Sequence, residues 1–320
     1  MQNYSYTQQF LHNIYLGNKF IKKSLFEIEK LLFLKKKELQ INSGKHVFIT
    51  GLPRSGTTIL LNFIYKSNQF ASLTYENAPF VMATNFFTKI SKDSNFEESE
   101  RFHQDGIFVN LKSPEALDEP FFSTFTDDEI RNQLISFITL ILSNKKKNRY
   151  LSKNNLHYKR IDLIQEIIMD AIILIPFRDP LQQACSLFEQ HNHFIKLQNK
   201  NDFIRKYMNY FGHNEFGKNH ISWNIPIKYH NFTNINYWLE QWLLFYQNIY
   251  KKNKKNKKCY FVCYEDLINK NYTTQLLKKI HVEEIINFSF RNKIRKINYK
   301  FDENLYEKAV LLYQEIKSMQ

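Results

Sequence analysis

Residues 46–58 read HVFITGLPRSGTT, and this short stretch decides the fold of the chain. Residues 46–50 are mostly apolar or β-branched, which is typical of a short buried strand. Gly51 and Gly56 follow at once, and an apolar periodic pattern then continues through Tyr65. The order of strand, glycine-containing loop and helix predicts a turn that can hold a phosphate with backbone N–H groups and the helix N-terminus.

The loop lacks one feature of the loops that bind nucleoside triphosphates. Its glycine spacing matches theirs, but Thr57 stands where a lysine is expected, and Arg54 lies inside the loop. Without that lysine the loop is poorly suited to the β- and γ-phosphates of a magnesium-bound nucleotide. A tight strand-to-helix turn without a ligand is the alternative interpretation. A phosphate site is favoured, because the chain has only seven glycines and two of them occupy these positions.

Strands and helices alternate along the rest of the sequence. Further strands are predicted at 171–177 and 258–262 from their apolar residues. Periodicity and capping residues predict helices within 4–40, at 127–142, at 160–168, from Pro180, and at 237–250, 264–268, 274–280 and 303–316. This alternation predicts an α/β, P-loop-like three-layer fold with a mainly parallel central sheet and helices on both faces. We expect one domain over 1–320, with a helical extension (1–44), a nucleotide-binding core (45–270) and C-terminal helices (271–320).

The composition argues against several classes of protein. Apolar residues make up 43% of the 320 residues, which supports a large core and not a disordered chain. No apolar run is long enough to span a membrane, and residues 1–15 lack the pattern of a secretory signal. Three cysteines, an odd number, do not indicate a disulfide framework, so a reducing, cytoplasmic compartment is expected. The sequence shows no set of residues at metal-site spacing, and no metal is expected.

The net charge of +14 is compatible with nucleic acid, a membrane surface or an anionic substrate. Lysine runs at 35–37, 145–147 and 251–258 fall at predicted helix ends or in loops, and we interpret them as solvated segments. The sequence contains no helix-turn-helix, zinc finger or RNA-binding signature, and the lysine runs are not interleaved with aromatic residues for base stacking. No nucleic-acid partner is therefore expected.

Residues 48–58 resemble the 5′-phosphosulfate loop of PAPS-dependent sulfotransferases. They have the Pro-Arg-Ser-Gly-Thr-Thr form of bacterial members and of tyrosylprotein sulfotransferases, whereas the cytosolic mammalian branch has lysine at the position of Arg54. The resemblance implies PAPS as the co-substrate and PAP as the product. It implies that Arg54 contacts the phosphosulfate near its bridging oxygen, and that the donor-binding loop consists of Gly51, Pro53, Arg54, Ser55, Gly56, Thr57 and Thr58.

A second motif follows the predicted strand at 171–177. Arg178 stands at the end of that strand, and Ser186 lies eight residues later on the next predicted helix. Members of the family bind the 3′-phosphate of PAPS with an Arg and a Ser at this spacing. A planar guanidinium and a hydroxyl together suit a phosphate dianion. Alternatively, Arg178 pairs with Asp179 and Ser186 is a surface residue. The resemblance extends over about 45–265, but the C-terminal Arg-Lys-Gly of cytosolic members is missing, and only 294–297 (IRKI) is similar.

Sulfuryl transfer by an enzyme of this kind needs groups that stabilise the charge on the leaving group, and a general base. Arg54 and Lys153 are expected to stabilise charge that develops on the bridging oxygen. Two residues are candidates for the base. Glu76 lies 22 residues after Arg54, close to where tyrosylprotein sulfotransferases keep a glutamate, and His103 lies in the stretch where cytosolic members hold their histidine. A surface carboxylate and a structural histidine are the alternatives, and Asp118 and Glu119 are further candidates.

The acceptor is not identified by the sequence. The polar loop at 211–217, flanked by glycines, is interpreted either as part of an acceptor pocket or as a simple turn. The sequence predicts transfer to a hydroxyl or amine of a glycan, a lipid-linked precursor, a small metabolite or a peptide. A P-loop kinase or NTPase and a non-catalytic basic protein that binds nucleotide or nucleic acid are the alternative functions. The sequence does not indicate an oligomeric state.

Overall fold

The computed structural model describes residues 5–35, 45–90, 98–101, 103–284, 286–290 and 294–319. In this part of the chain there are seven strands: β1 (Val47–Ile49), β2 (Phe70–Ala71), β3 (Ser99–Glu100), β4 (Phe108–Val109), β5 (Arg149–Lys153), β6 (Ile172–Phe177) and β7 (Cys259–Cys263). Five of them form one sheet in the order β2-β5-β1-β6-β7, and β3 pairs with β4 separately. All neighbours in the five-stranded sheet are parallel, so the predicted parallel sheet is confirmed.

The register of the central strands places their carboxyl ends together. Val47 lies opposite Leu151 on β5 and opposite Ile172 on β6, so the three strands end at one edge of the sheet. The segments that follow them begin at Thr50, Asn154 and Arg178. In open parallel sheets, ligands bind in the crevice outside this edge.

Twelve α-helices are described in the same ranges: α1 (Tyr6–Gly17), α2 (Lys19–Phe33), α3 (Thr57–Tyr65), α4 (Thr84–Ile90), α5 (Glu119–Phe122), α6 (Asp127–Lys145), α7 (Ile161–Ile167), α8 (Pro180–Lys200), α9 (Asp202–Tyr210), α10 (Ile235–Asn253), α11 (Lys270–Lys279) and α12 (Glu303–Lys317). Short 3₁₀ helices lie at Tyr75–Asn77, Asn155–Lys159 and Glu265–Ile268. None of the described helices is long and apolar enough to cross a membrane.

Successive side chains of the strands enter opposite layers, as the period of two requires. Phe48 and Ile173 belong to one buried cluster, whereas Val47, Ile49 and Leu174 belong to another on the other face. Helices cover both faces, and the predicted α/β three-layer architecture is therefore confirmed. The helix predicted at 264–268 is instead a 3₁₀ helix, and strand β5 was not predicted at all.

The two N-terminal helices pack against the rest of the structure through specific contacts. The hydroxyl of Tyr210 on α9 donates to Asn13 on α1 at 2.5 Å, and the ring of His12 lies 5.9 Å from that of Phe203. Buried Glu29 on α2 accepts the backbone N–H of Asn85 at 2.6 Å, at the start of α4. The prediction of helix within 4–40 is met by α1 and α2. Residues 4 and 36–40 of that predicted helical segment lie outside the described residues. The division of the chain into domains stays a prediction.

Candidate active site

The predicted phosphate loop joins β1 to α3 and is held in place by short contacts. The N–H of Thr50 donates to the carbonyl of Leu174 at 2.9 Å, which fixes the start of the loop on β6. The hydroxyl of Ser55 donates to the carbonyl of Leu52 at 2.8 Å. Gly56 has φ +94°, and a Cβ at this position would lie 2.4 Å from Cδ2 of Tyr264. Only glycine therefore fits here, and the loop passes directly under the ring of Tyr264.

Residues of the two sequence motifs are in contact next to the N-terminus of α3. Nε of Arg54 donates to the hydroxyl of Ser186 on α8 at 3.0 Å, although 132 positions separate them in sequence. Ser186 is only 1% exposed, so it is not a surface residue. The guanidinium of Arg178 lies 4.8 Å from the ring centroid of Tyr264, and its Nε is 3.8 Å from Glu265. Tyr264 thus lies between Gly56 of the first motif and Arg178 of the second.

A buried network of charges continues from Arg54. Asp105 accepts from Nη1 of Arg54 at 2.6 Å and, through both carboxylate oxygens, from Arg101 at 3.0 and 2.6 Å. Arg101 also donates to the hydroxyl of Thr58 and to Glu115, each at 3.2 Å. Nζ of Lys153, at the end of β5, lies 3.4 Å from Glu115. Three cations and two carboxylates therefore alternate across the top of the sheet.

The charges of this network stabilise one another. Burial alone would raise the pKa of Asp105, but hydrogen bonds and charge from Arg101, with Arg54, hold it well below its ordinary value. Burial likewise opposes ionisation of Glu115, while Lys153 and Arg101 outweigh it and lower the pKa of that carboxyl. Asp105 and Glu115 are therefore ionised at neutral pH, and each guanidinium faces a carboxylate.

Asp105→Asn is expected to lower the melting temperature by roughly 5–10 °C at pH 7, because it leaves two buried guanidinium groups facing a neutral amide. The folded-state pKa of Asp105 lies below the ordinary value of 3.8. Its stabilisation is therefore complete above that pH and is lost as the pH falls toward the folded-state pKa. Thermal unfolding of wild type and variant should differ by a constant amount from about pH 8 to 5, and less below about pH 4. Exposed Asp128→Asn is the control, and equal stability of the two variants would contradict the expectation.

A cleft of about 1050 Å³, including its open mouth, lies beside this network. Its polar and charged lining includes the loop and the network, with Pro53, Arg54, Thr57, Thr58, Arg101, Glu115 and Lys153. Its apolar and aromatic lining includes Phe194, Phe203, Ile204, Tyr207, Met208, Phe211 and Phe216. Residues of the loop at 211–217 are thus part of the cleft wall, and its role as an acceptor pocket stays a prediction. A lining of this kind can hold both an anion and an apolar group.

The candidate bases occupy different places. His103 lines the cleft, and its ring contacts Phe194 edge to face at a centroid distance of 5.2 Å. Glu76 is not among the lining residues, and its carboxylate pairs with Lys145 at the end of α6. Asp118 and Glu119 are buried and accept hydrogen bonds from Asn154 at 2.8 and 2.7 Å. Like Glu76, neither of them lines the cleft.

Two charged residues of the network carried no signal in the sequence. Arg101 and Asp105 belong to no motif, and only the burial of their side chains and their mutual contact distinguish them from surface residues. Arg101 and Asp105 are four positions apart and flank His103, which is the one pattern that could have indicated them. Of the described residues, no group of three or more metal-ligating side chains is arranged to hold a metal ion.

The segment at 294–297 lies against α8. The backbone N–H of Arg295 donates to the side chain of Gln182 at 2.8 Å, and the amide of Gln182 donates back to the Arg295 carbonyl at 3.0 Å. Burial lowers the pKa of Arg295, and the charge of Arg178 lowers it further. A second guanidinium is therefore close enough to Arg178 to be affected by its charge. It also forms an ion pair with Glu189.

A comparison with known protein families agrees with the sequence motifs. Residues 46–215, just over half of the chain, match a family described as "Sulfotransferase family". A comparison with curated proteins gave no match. Among solved structures, sulfotransferase STF1 from Mycobacterium tuberculosis is similar, with 12% identity, a TM-score of 0.48, and coverage of 97% of this chain and 84% of that one. Sulfotransferase STF9 from Mycobacterium avium has 10% identity and a TM-score of 0.47, and the match covers 87% of this chain and 74% of that one.

Proposed function

The chain belongs to the sulfotransferase family, and from this premise we propose that it transfers a sulfuryl group from PAPS to a hydroxyl or amine of an acceptor and releases PAP. One observation carries the proposal. Arg54 of the loop and Ser186 of the second motif lie within hydrogen-bonding distance at the N-terminus of α3. Arg54 is expected at the 5′-phosphosulfate of PAPS and Ser186 at its 3′-phosphate. Groups expected to bind two phosphates of one nucleotide thus border a single site.

The donor-binding residues are proposed from these contacts. Gly51, Pro53, Ser55, Gly56, Thr57 and Thr58 form the loop and first turn of α3, where backbone N–H groups and the helix N-terminus favour a 5′-phosphate. Arg178 and Ser186 bind the 3′-phosphate. Arg295 is an additional cation beside Arg178, and its backbone is fixed by Gln182. Tyr264, between Gly56 and Arg178, connects the two phosphate sites.

The reaction is a displacement at sulfur. The acceptor oxygen or nitrogen forms a bond to sulfur, the bond from sulfur to the bridging oxygen breaks, and PAP leaves with the electron pair on its 5′-phosphate. Such a transfer depends mainly on in-line positioning and on neutralising charge at the leaving oxygen. Arg54 and Lys153, the two sequence candidates for this role, both line the cleft. Cations already fixed at the leaving oxygen need no reorganisation during the reaction.

His103 is the one sequence candidate for the base that lines the cleft, but its surroundings oppose protonation. Burial lowers the pKa of His103 well below its ordinary value, and the neighbouring charge of Arg101 lowers it further. The ring is therefore neutral at pH 7 and can accept a hydrogen bond. The carboxylates of Asp105 and Glu115 act in the opposite direction, but burial and the guanidinium charges outweigh them, so His103 is poorly suited to accept a proton.

Calorimetric titration with PAP tests the donor assignment, with ATP as the comparison ligand. We expect PAP to bind more tightly than ATP, because Thr57 replaces the lysine needed for a triphosphate. Arg178→Ala is expected to weaken PAP about 10- to 100-fold, the effect of a lost charge-assisted hydrogen bond to phosphate. Arg131→Ala, at an exposed arginine paired with Glu166, is the matched control. Absence of PAP binding, or equal binding of ATP, would remove the proposal and favour a P-loop kinase or NTPase.

A further inference from the structure

The loop at 211–217 is held rigidly at both ends. Gly212 has φ +67°, and a Cβ there would lie 2.6 Å from Cγ of Glu119. Gly217 has φ +80°, and a Cβ there would meet the amide of Gln198 at 2.4 Å. The N–H of His213 donates to the carbonyl of Met208 at 2.8 Å, which fixes the loop to the end of α9. A side chain on this loop is therefore presented to the cleft in a defined position.

Two such side chains, those of His213 and Glu215, form a pair at the cleft wall. Nδ1 of His213 lies 3.2 Å from Oε1 of Glu215, and both residues line the cleft. Asn155, which follows β5, donates to the same carboxylate oxygen at 3.3 Å. Burial opposes ionisation of Glu215, but His213 and Lys153 lower the pKa of its carboxyl below the ordinary value. A buried carboxylate thus contacts and orients the imidazole.

This pair differs from His103 in its contacts. The ring of His103 packs edge to face on Phe194 at a centroid distance of 5.2 Å. Nδ1 of His213 instead contacts the carboxylate of Glu215 at 3.2 Å. A general base is oriented by a third group, so the contacts of His213 suit that role better than those of His103.

The apolar lining of the cleft comes from α8, α9 and the same loop. Phe203, Ile204 and Tyr207 belong to α9, and the rings of Phe194 and Phe216 are parallel at a centroid distance of 6.0 Å. These side chains offer apolar surface and π faces. Such a wall binds an aromatic or aliphatic group by burying apolar area. A sugar, whose hydroxyls each need a hydrogen-bonding partner, would lose hydration against it without an equivalent gain.

We propose that the acceptor is an alcohol or phenol whose hydroxyl is attached to an apolar body. This body packs against the apolar side chains of α9, and His213, oriented by Glu215, accepts the hydroxyl proton. The inference rests on the proposed function. As the acceptor oxygen bonds to sulfur, its proton passes to Nε2 of His213, and the electron pair of the broken bond leaves with the phosphate of PAP. The imidazolium then returns its proton to solvent.

The acceptor class is tested with 2-naphthol and 1-octanol as apolar probes and glucose as the polar one. Release of PAP from PAPS is measured for a protein already shown by calorimetry to bind PAP. We expect either apolar probe to increase the rate at least about tenfold more than glucose does, since burying apolar groups favours their binding. Glucose acting equally well would overturn the inference, as would failure of both apolar probes in a protein that binds PAP. Failure to bind PAP would instead overturn the proposed function.

The role of His213 is tested with His213→Gln and Glu215→Gln, using 2-naphthol or 1-octanol. We expect His213→Gln to lower kcat about 10²- to 10⁴-fold, the usual contribution of a general base, with PAP affinity unchanged. His281→Gln changes an exposed histidine that follows α11, and it serves as the matched control. His103→Gln provides the direct rival. If His103→Gln removes the activity and His213→Gln does not, the assignment is wrong.

A further readout separates a catalytic role from a structural one. The loss in His213→Gln should be much smaller with 4-nitrophenol at about pH 8, because that acceptor is already ionised and needs no base. An equal loss with both acceptors would show that the substitution only disturbs the cleft, and Glu215→Gln should reproduce the acceptor dependence more weakly.

Discussion

Arg54→Ala is expected to lower kcat/KM for sulfuryl transfer about 100- to 1000-fold, the loss typical when one donor that stabilises transition-state charge is removed. Arg54 takes a left-handed conformation with φ +68°, which is unfavourable for a residue with a side chain. Its side chain nevertheless reaches both Ser186 and Asp105. The backbone strain and the two contacts together indicate that the guanidinium has a function at this point.

The measurement is the rate of PAP release as a function of PAPS concentration at saturating 2-naphthol, which gives kcat/KM for PAPS, with Arg131→Ala as the exposed control. Arg54→Lys keeps the charge but removes the planar fork, so it should retain more activity than alanine and less than wild type. Melting temperatures are recorded in parallel, because Arg54 also neutralises Asp105. Activity of Arg54→Ala within about threefold of wild type would contradict a role at the leaving oxygen, given that one such donor contributes far more.

Gly56→Ala is expected to weaken PAP binding at least about 100-fold, through backbone strain and displacement of a neighbouring ring. The added methyl would lie 2.4 Å from the ring of Tyr264, and the residue has φ +94°. Tyr264 also contacts the guanidinium of Arg178, so moving its ring disturbs both proposed phosphate sites. One methyl group is thus expected to affect two distant parts of a single nucleotide.

Calorimetry with PAP provides the measurement. Gly106→Ala is the matched control, because Gly106 has φ +77° but open space where its Cβ would lie. It therefore reproduces the strained conformation without the collision. Adding Tyr264→Ala to Gly56→Ala removes the collision but keeps the strain, and it should restore part of the affinity. If Gly56→Ala binds PAP as well as Gly106→Ala does, the loop does not hold the nucleotide in the way proposed.

The sequence predicted strands β1 and β6 correctly because its strongest local patterns coincide with them. β1 and β6 are buried throughout, and residues of both motifs follow them directly. β5 was missed because its sequence, RYLSK, alternates too briefly and contains three polar residues. It is a strand because β1 and β2 pair with it on either side, which is information that no local pattern contains.

The candidate site was predicted only in part, for a similar reason. Glycines and an arginine at fixed spacing are visible in a sequence, so both motifs were recognised, but the contact between Arg54 and Ser186 is seen only in the structure. The pairing of Arg101 with Asp105, and of His213 with Glu215, involves residues of ordinary type at short spacing. Such pairs are common on solvated surfaces, and only the three-dimensional burial of Asp105 and Glu215 distinguishes them.

For an anion that contacts Arg54, as proposed, the carboxylate of Asp105 is a tethered competitor. It already holds Nη1 of Arg54 at 2.6 Å, and being part of the chain it is present at a high effective concentration. A small anion that makes this one contact would have to displace Asp105 without compensation. A ligand that is anchored elsewhere would offset the lost ion pair with its remaining contacts. We therefore expect the cleft to discriminate against simple salts in favour of anions with several points of attachment.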